Sequence, residues 1–254
     1  MPSNRDYYAQ YFTYWDKTPA ILFDRGGAKE TAEEDEKHLK GFIKGLSSCI
    51  ICSLGVGTGR ELDWLSKLEN VHEVIGVDRS QNMLNFVHGK ANTILKTRFV
   101  PVLDDFREPS QLGELVRRYK HPIVYLSLDN TFGNCLPEDY TTILSRLRAI
   151  MKPSDYIGLV VYKRGYPINE DLRWYLEYEG YRYYARNEHG IDPTIYYDEK
   201  NHNIVCAAGE KVFQISHRFT PDELRAIITD ASLELVRLDE GPRALTAIAR
   251  PSLK

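Results

Sequence analysis

Three glycines follow an apolar segment in the stretch ICSLGVGTG, at positions 55, 57 and 59. Glycine has no Cβ atom and tolerates positive φ, so this spacing at a strand-to-helix turn lets a ligand approach the backbone. The dinucleotide-binding pattern GxGxxG requires its third glycine where this chain has Arg60. The pattern GxGxG suits instead a cofactor with an amino-acid end and no pyrophosphate. A turn that uses its glycines only for packing is the alternative for this loop taken alone.

Acidic residues end the next two apolar segments. Asp78 lies nineteen residues after Gly59, at a strand end where a carboxylate can accept hydrogen bonds from both hydroxyls of a ribose. Asp104 and Asp105 end the following segment and offer a carboxylate to an adenine amino group, with Phe106 beside them for the ring. An aspartate at a strand end can also be a helix cap, so the prediction depends on all three strand ends occurring in order.

The cysteines and histidines show no pattern that could hold a metal. Cys49 and Cys52 form a CxxC pair within an apolar strand, where a separation of three residues places the side chains on opposite faces. The seven histidines show neither HxxxH nor HxH spacing. We therefore predict buried thiols and no metal site.

Strand and helix patterns alternate from about position 49 to position 163 and must position these residues. Helices are predicted to begin at a capping box formed by Thr58 and Glu61, at Ser80 and at Pro137. Such an alternation predicts an α/β fold with a doubly wound, mostly parallel sheet. The predicted strands of this core are Ile50–Leu54, Glu73–Val77, Arg98–Leu103, Ile123–Leu128 and Tyr156–Tyr162.

The alternation stops after the fifth strand. We predict one domain in four parts: a helical cap (1–47), the cofactor-binding core (48–163), an insertion or lid (164–218), and a C-terminal helix with a β-hairpin (219–254). The predicted hairpin adds two strands to the main sheet, which then has seven. In the N-terminal cap, the acidic run at 30–36 is interpreted as the solvent-exposed start of a helix. The insertion is rich in tyrosine and is predicted to form a small antiparallel sheet from Thr194–Tyr197, Asn203–Ala207 and Lys211–Ser216. The C-terminal part comprises a helix capped by Thr220 and Glu223 and the strands Leu233–Leu238 and Leu245–Ala249.

Composition narrows the classes of partner. The chain has 254 residues, of which 43% are apolar, which is enough for one substantial core. Its formal net charge is −3, so no basic excess is available to neutralise a nucleic-acid backbone. The chain shows neither a signal-peptide pattern nor an apolar run of about 18 residues. We therefore expect a cytoplasmic protein that binds neither nucleic acid nor membrane.

The motifs LGVGTG, VIGVDRS, VLDDF and YLSLDNTFGN resemble those of the class I S-adenosylmethionine-dependent methyltransferases, from about Cys49 to Val161. The resemblance implies a Rossmann-like fold with S-adenosylmethionine as the cofactor. The glycine loop would pass the methionine end, Asp78 would hold the ribose, and Asp104 or Asp105 would meet the adenine. The implied cofactor-binding residues are Gly55, Val56, Gly57, Gly59, Asp78, Arg79, Asp104, Asp105, Phe106, Asp129 and Asn130.

Position 53 departs from this family pattern. Such proteins often have an acidic residue two positions before the first glycine, where it meets the cofactor's ammonium group, and this chain has Ser53 there. The ammonium must therefore find another partner, for which a main-chain carbonyl and Asp129 are the candidates.

The turn after the fourth strand indicates the substrate. Its sequence, DNTFGN, is similar to the TxGN turn of the histidine-specific methyltransferases of ergothioneine biosynthesis, and the resemblance implies that Asn134 holds the main-chain groups of an amino acid. An Asx-type turn or a helix cap before Pro137 is the alternative for this asparagine. Phe132, Tyr11 and Tyr162 are the other expected substrate contacts, since the family builds its pocket roof from the N-terminal helix and the insertion.

The resulting hypothesis is a methyltransferase for a small-molecule acceptor, with an amine nitrogen of an amino acid or a related compound as the methylated atom. Methyl transfer to an amine mainly requires alignment and exclusion of water, so no catalytic acid or base is assigned. Two alternatives stay open: transfer of the aminocarboxypropyl group on the same fold, and a non-catalytic protein that binds the cofactor. The histidine spacing argues against a metal-dependent O-methyltransferase, and the oligomeric state is not predicted.

Overall fold

The computed structural model describes residues 4–25 and 37–253 of the chain. The acidic run at 30–36 therefore lies outside the described residues. The strands are β1 (Cys49–Leu54), β2 (Val71–Asp78), β3 (Arg98–Leu103), β4 (Ile123–Ser127), β5 (Tyr156–Tyr162), β6 (Thr194–Asp198), β7 (Asn203–Ala208), β8 (Lys211–His217), β9 (Leu233–Glu240) and β10 (Ala244–Pro251).

The helices lie between these strands and in front of them. They are α1 (Asn4–Lys17), α2 (Ala20–Arg25), α3 (Lys37–Lys44), α4 (Leu62–Leu65), α5 (Gln81–Ile94), α6 (Ser110–Val116), α7 (Tyr140–Ile150), α8 (Ile168–Glu177), α9 (Glu179–His189) and α10 (Pro221–Asp230), with 3-10 turns η1 (Phe132–Asn134) and η2 (Pro137–Asp139). No helix of the described residues is long and apolar enough to cross a membrane.

The main sheet has seven strands in the order β3-β2-β1-β4-β5-β10-β9. Strand β1 pairs in parallel with both β2 and β4, while β10 runs antiparallel to β5 and β9. The predicted fold class, a doubly wound and mostly parallel seven-stranded sheet, is confirmed. The strand order reverses between β1 and β4, and ligands of such sheets bind outside the carboxyl ends of the strands at this switch point.

Strand β1 packs on both of its faces, and its burial is complete along its length. Ile50 and Cys52 belong to the hydrophobic cluster on one side of the sheet, and Cys49 and Ile51 belong to the cluster on the other side. The prediction that the two thiols of the CxxC pair face opposite ways is confirmed. Burial raises the pKa of Cys49 to about 11. Within the described part of the chain, no group of three or more His, Cys, Asp or Glu side chains could hold a metal ion.

The insertion contains the predicted antiparallel sheet, in the order β6-β7-β8, but it also contains α8 and α9, which the sequence analysis did not predict. Three strands, and no helix before them, were predicted for this tyrosine-rich segment. Tyr175, Tyr178, Tyr181 and Tyr184 recur every three residues and are buried in one cluster, with Tyr14 of α1 among their neighbours. Tyr175 lies in α8, Tyr178 lies at the break between the two helices, and Tyr181 and Tyr184 lie in α9, so the cluster joins the two helices to α1.

Two of the predicted helix starts are confirmed and two differ. Ser80 caps α5 by accepting a hydrogen bond from the backbone N–H of Met83, and the Thr220–Glu223 capping box of α10 is complete. The capping box predicted for Thr58 and Glu61 is wrong, because α4 begins with no side-chain cap. The helix predicted from Pro137 begins as the 3-10 turn η2 and becomes α-helical only at Tyr140.

The N-terminal helix α1 packs against β8 and the turn after β4. The hydroxyl of Tyr7 is buried, donates to the Asn134 backbone carbonyl at 2.6 Å and accepts from the backbone N–H of Ile215 at 3.2 Å. One phenol therefore links α1, η1 and the insertion. These three elements and the carboxyl edge of the main sheet enclose the site.

Candidate active site

The loop after β1 adopts the conformation that its glycines permit. Gly55 and Gly57 have φ angles of 66° and 52°, which lie in the left-handed region that favours glycine. A Cβ atom at Gly57 would have only the Gly55 carbonyl oxygen near it, at 3.9 Å, so this position faces open space. At Gly55 a Cβ atom would lie 2.6 Å from Cγ2 of Thr131, so that glycine lets the loop approach the turn after β4.

One cavity lies above this loop, between the carboxyl edge of the main sheet, α1 and the insertion. Most of the residues predicted for the site lie on its wall. The predicted residues that line it are Gly55, Val56, Gly57, Asp78, Arg79, Asp104, Asp105, Phe106, Asp129, Asn134, Tyr11 and Tyr162. Their individual roles toward a ligand stay predictions.

Three predicted site residues, Gly59, Asn130 and Phe132, are not among those that line the cavity. A Cβ atom at Gly59 would lie 2.4 Å from Cγ2 of Val87, so this glycine serves the packing of the loop on α5. The buried Asn130 amide donates to the Ser216 hydroxyl at 2.8 Å and accepts from the Tyr162 backbone N–H at 2.9 Å, which joins β5 to β8.

Phe132 is a core residue. Its ring lies 4.7 Å from the ring of Tyr140 and 6.2 Å from that of Phe219, measured between centroids, and it is 1% exposed. Because its side chain packs between the sheet and α7, it cannot reach a ligand in the cavity. The neighbouring Asn134 in the same 3-10 turn does line the cavity, so η1 presents one of its two predicted residues.

Asp78 is held by the backbone on both carboxylate oxygens. Oδ2 accepts from the Gly57 N–H at 2.9 Å, and Oδ1 accepts from the Ser80 N–H at 2.9 Å. Burial raises the pKa of Asp78 to about 6, and the nearby Asp16 carboxylate of α1 adds to the rise. The carboxylate is thus fixed in orientation at the wall of the cavity, and each oxygen keeps a lone pair for a further donor.

The two aspartates after β3 differ in their contacts. Asp104 accepts a hydrogen bond from the backbone N–H of Leu112 at 2.8 Å and so satisfies a donor in the first turn of α6. Asp105 forms ion pairs with Arg107, at 2.6 Å between Nη2 and Oδ2, and with Arg79. The helix-cap alternative therefore describes Asp104, whereas Asp105 orients two arginines at this end of the cavity.

These arginines attach α1 to the sheet edge. The Arg107 guanidinium lies 3.6 Å from the ring centroid of Tyr8, and the Arg79 guanidinium lies 3.7 Å from that of Phe12. Guanidinium groups at this distance from an aromatic face are attracted by about 0.5–2 kcal/mol each. The helix thus closes over the end of the cavity where Asp78 and Asp105 lie.

The wall of the cavity is also aromatic. It is lined by Tyr11, Tyr14, Trp15, Tyr162, Tyr175, Tyr178 and Tyr181. Burial raises the pKa of Tyr162 to about 12, so its phenol is neutral at physiological pH. Asn134 lies on this wall and does not cap η2, which begins after Leu136 without a side-chain cap.

Two polar residues that the sequence analysis did not assign to the site also line the cavity. Glu61 is 6% exposed and accepts a hydrogen bond from the Ser53 hydroxyl. Gln214 of β8 is 2% exposed, and within the described part of the chain no donor contacts its Oε1 atom. The Thr-Gly-Arg-Glu spacing predicted a capping box, so Glu61 was assigned to a helix cap and not to the site. Nothing in the pattern of an inserted strand distinguishes Gln214 from a surface residue.

No protein-family model and no curated protein sequence matches the chain. Solved structures with the same fold include three bacterial methyltransferases. The 1,6-didemethyltoxoflavin-N1-methyltransferase of Burkholderia thailandensis is 16% identical over 99% of this chain and 92% of its own, with a TM-score of 0.61. The CcbJ methyltransferase of Streptomyces caelestis is 19% identical over 94% of this chain and 98% of its own, with a TM-score of 0.62.

The third structure, an S-adenosylmethionine-dependent methyltransferase of Anabaena variabilis, is 15% identical over 96% of this chain and 94% of its own, with a TM-score of 0.60. These similarities extend over nearly the whole of each chain and so include the N-terminal cap and the insertion as well as the core. The chain therefore has the Rossmann-like fold of the class I S-adenosylmethionine-dependent methyltransferases.

Proposed function

We propose that this protein is an S-adenosylmethionine-dependent methyltransferase that acts on a small molecule, at an amine nitrogen of an amino acid or a related compound. The observation that carries this proposal is that the glycine loop and Asp78 meet on one cavity whose wall also contains several aromatic side chains. The glycine loop and Asp78 suit a nucleoside with an amino-acid tail, and the aromatic side chains suit an uncharged or cationic acceptor.

The residues present fit the cofactor. Open space over Gly57 leaves room for the tail of the ligand, and the Asp78 carboxylate is oriented for two ribose hydroxyls. Phe106 and the Arg107–Asp105 pair surround the place for the adenine. The cofactor supplies a methyl group bonded to a positively charged sulfur.

The chain's own residues align the acceptor and keep water out. Helix α1 and the insertion cover the cavity, and the tyrosine rings of its wall can stabilise the positive charge of an amine by about 0.5–2 kcal/mol each. A neutral amine needs position more than it needs a base, so alignment and exclusion of water account for the chemistry assigned to this site.

Two amides favour an acceptor with polar hydrogens. Asn134 lies on the cavity wall, where its amide can donate to a carboxylate and accept from an amine. Gln214 donates from Nε2 to the Ile215 carbonyl at 3.1 Å, and its buried Oε1 has no donor among residues 4–25 and 37–253. A buried acceptor without a partner costs about 1–3 kcal/mol, which an N–H group of a bound molecule would offset.

The neighbours in fold support the same conclusion. The Burkholderia protein is named an N1-methyltransferase, and its structure contains 1,6-didemethyltoxoflavin and S-adenosylhomocysteine. A small nitrogen-bearing acceptor beside this cofactor is therefore compatible with a chain of this fold and length.

Calorimetric titration with S-adenosylhomocysteine, followed by incubation of the protein with S-adenosylmethionine and a panel of amines and amino acids, tests the proposal. We expect binding and a product heavier by one methyl group. A product heavier by an aminocarboxypropyl group would show the alternative transferase, and binding without any product would favour a non-catalytic protein. Absence of binding would contradict both the cofactor and the function.

A further inference from the structure

The end of β1 lacks the carboxylate that the resemblance places there. Ser53 is 3% exposed, stands two residues before Gly55 and lines the cavity. Its short hydroxyl carries no charge, so it cannot by itself neutralise the ammonium group at the amino-acid end of the cofactor.

The Glu61 side chain brings a carboxylate to this point from eight residues further along the chain. Ser53 donates its hydroxyl hydrogen to Oε1 of Glu61, which places the carboxylate within one hydrogen bond of the position that an acidic residue at 53 would occupy. Glu61 itself is 6% exposed and lines the same cavity as Gly55 and Gly57. Glu61 lies in the turn before the short helix α4, which the hydrogen bond from the Leu62 N–H to the Gly59 carbonyl closes at 3.3 Å.

Among the other carboxylates on the cavity wall, two are neutralised by arginines. Asp129, the candidate partner named from the sequence, forms an ion pair with Arg60. Asp105 forms ion pairs with Arg107 and Arg79. Each of these two carboxylates already has a guanidinium in direct ion-pair contact, which the ammonium group would have to displace, so neither suits it.

The remaining carboxylates are committed or exposed. Asp78 binds the backbone N–H groups of Gly57 and Ser80, and its place at the end of β2 suits the ribose. Asp104 accepts from the Leu112 N–H, and Asp16 is exposed on α1. Glu61 differs from the rest: it is buried on the cavity wall, and its carboxylate accepts a hydrogen bond from the neutral Ser53 hydroxyl, while Arg60 and Lys90 attract it electrostatically.

We infer that Glu61 binds the α-ammonium group of S-adenosylmethionine, and that Ser53 is the residue that positions it. The inference rests on the proposed function and deepens it, because it assigns the cofactor's amino-acid end to a residue outside the usual position. A buried carboxylate is costly unless positive charge compensates it, and a bound ammonium group would add to the attraction that Arg60 and Lys90 already exert on Glu61. In the absence of a ligand, burial raises the pKa of the Glu61 carboxyl.

Substitution of Glu61 by glutamine tests the inference, because it removes the charge and preserves the shape. Binding would be measured by calorimetry for three ligands: S-adenosylhomocysteine, its deaminated analogue in which hydrogen replaces the amino group, and 5′-methylthioadenosine, which lacks the whole tail. We expect E61Q to bind S-adenosylhomocysteine at least tenfold more weakly, and the other two ligands within about twofold of the wild type. Tenfold corresponds to about 1.4 kcal/mol.

The ratio of the dissociation constants for S-adenosylhomocysteine and the deaminated analogue makes the test independent of stability. Both constants are measured on the same folded protein, so partial unfolding of E61Q cancels in the ratio. The variant E69Q makes the same chemical change at an exposed glutamate next to the same helix, and it should keep the wild-type ratio. S53A should shift the ratio in the same direction as E61Q, but by less.

The outcomes separate this inference from the function it rests on. Equal weakening of all three ligands in E61Q would show a structural role, and an unchanged ratio would place the ammonium group elsewhere; either result overturns the inference and leaves the methyltransferase proposal standing. A wild-type protein that binds none of the three ligands overturns both. The double variant S53D/E61S exchanges the acidic residue and the serine between the two positions. Recovery of the wild-type ratio in this variant would show that a carboxylate at either position can bind the ammonium group.

Discussion

The backbone N–H of Gly57 donates a hydrogen bond of 2.9 Å to Oδ2 of Asp78. This bond joins the loop after β1 to the end of β2, so the glycine that leaves space for a ligand also orients the carboxylate beside that space. The second oxygen of Asp78 is held by the Ser80 N–H, which starts α5. Loop, carboxylate and helix therefore form one rigid unit at the switch point of the sheet.

Substitution of Asp78 by alanine should weaken the binding of S-adenosylhomocysteine at least tenfold. Each lost hydrogen bond between a ribose hydroxyl and a charged group costs about 1.5–3 kcal/mol. Calorimetry would measure the affinity, with Asp230→Ala as a control at an exposed aspartate. An unchanged dissociation constant for the Asp78 variant would place the ribose elsewhere.

The affinity of the wild-type protein for 5′-methylthioadenosine should increase as the pH rises from about 5 to about 7. The pKa of Asp78 is raised to about 6 in the unliganded protein, and only the ionised carboxylate can accept from both ribose hydroxyls. Below that pKa, each further pH unit should weaken binding up to about tenfold. This ligand has no ammonium group, so Glu61 does not contribute directly to the change.

The same raised pKa has the opposite effect on the stability of the unliganded protein. Because the folded-state pKa of Asp78 lies above the value of 3.8 for an ordinary aspartate, its contribution to stability is greatest at low pH and is lost as the pH rises through about 6.

The variant Asp78→Asn is the control for the affinity profile, and it should abolish the rise in affinity for 5′-methylthioadenosine between about pH 5 and about pH 7. A variant that retains the full pH profile would show that another group is responsible.

Substitution of Gly57 by leucine should abolish cofactor binding and leave the protein folded. The side chain would project into the open space over the loop, which has no neighbour to displace within 3.9 Å. The cost to the backbone of a positive φ at a non-glycine residue is about 1–2 kcal/mol. Gly190→Leu is the matched control, since Gly190 has a φ of 70°, ends α9 and does not line the cavity. Both variants should lose similar thermal stability, but only Gly57→Leu should lose binding of S-adenosylhomocysteine.

The sequence predicted the core of the fold because its signals are local. Apolar segments bounded by glycine or aspartate gave the strands of the main sheet to within a few residues, and a parallel arrangement brings their carboxyl ends to one edge. Gly59 shows the limit of such reasoning: it has the same left-handed backbone as Gly55 and Gly57, yet its missing Cβ serves contact with Val87. A motif gives the conformation of a loop, but not which of its residues faces the ligand.

The rest of the site depends on contacts between distant segments. Glu61 lines the cavity, where it accepts a hydrogen bond from Ser53. Asn130 does not line it, because its side chain is hydrogen-bonded to Ser216, which is 86 residues away in the sequence. Gln214 lines the cavity because it lies in β8 of the inserted sheet, and no local sequence pattern specifies where that sheet packs on the core. The tyrosine-rich insertion was predicted only as a small antiparallel sheet, whereas four of its tyrosines form a buried cluster with the helices before that sheet, because their partners, such as Tyr14, lie far away in the sequence.

Substitution of Gln214 by leucine should lower the kcat/KM for the acceptor and leave the affinity for the cofactor unchanged. If an N–H group of the acceptor binds Oε1, its loss should lower kcat/KM by about tenfold to a hundredfold, or about 1.4–2.8 kcal/mol. The unfolding free energy should change little, because the variant also removes a buried oxygen that has no donor in the described residues. Gln111→Leu, at an exposed glutamine, is the control. Loss of stability with unchanged kinetics would indicate a purely structural amide.

Substitution of Asn134 by alanine should affect turnover of the acceptor much more than binding of the cofactor. Asn134 lines the cavity, while its backbone carbonyl is held by Tyr7 and does not depend on the side chain. We expect the affinity for S-adenosylhomocysteine to stay within a few-fold of the wild type, and kcat/KM for the amine to fall by one to three orders of magnitude, or about 1.4–4 kcal/mol. Calorimetry and kinetics must be measured on the same preparation, with Asn187→Ala as a control at an exposed asparagine. If Asn134→Ala loses cofactor affinity instead, or methylates its acceptor at the wild-type rate, then the turn after β4 serves the cofactor or the fold, and the proposal of an amino-acid acceptor loses the contact on which it chiefly depends.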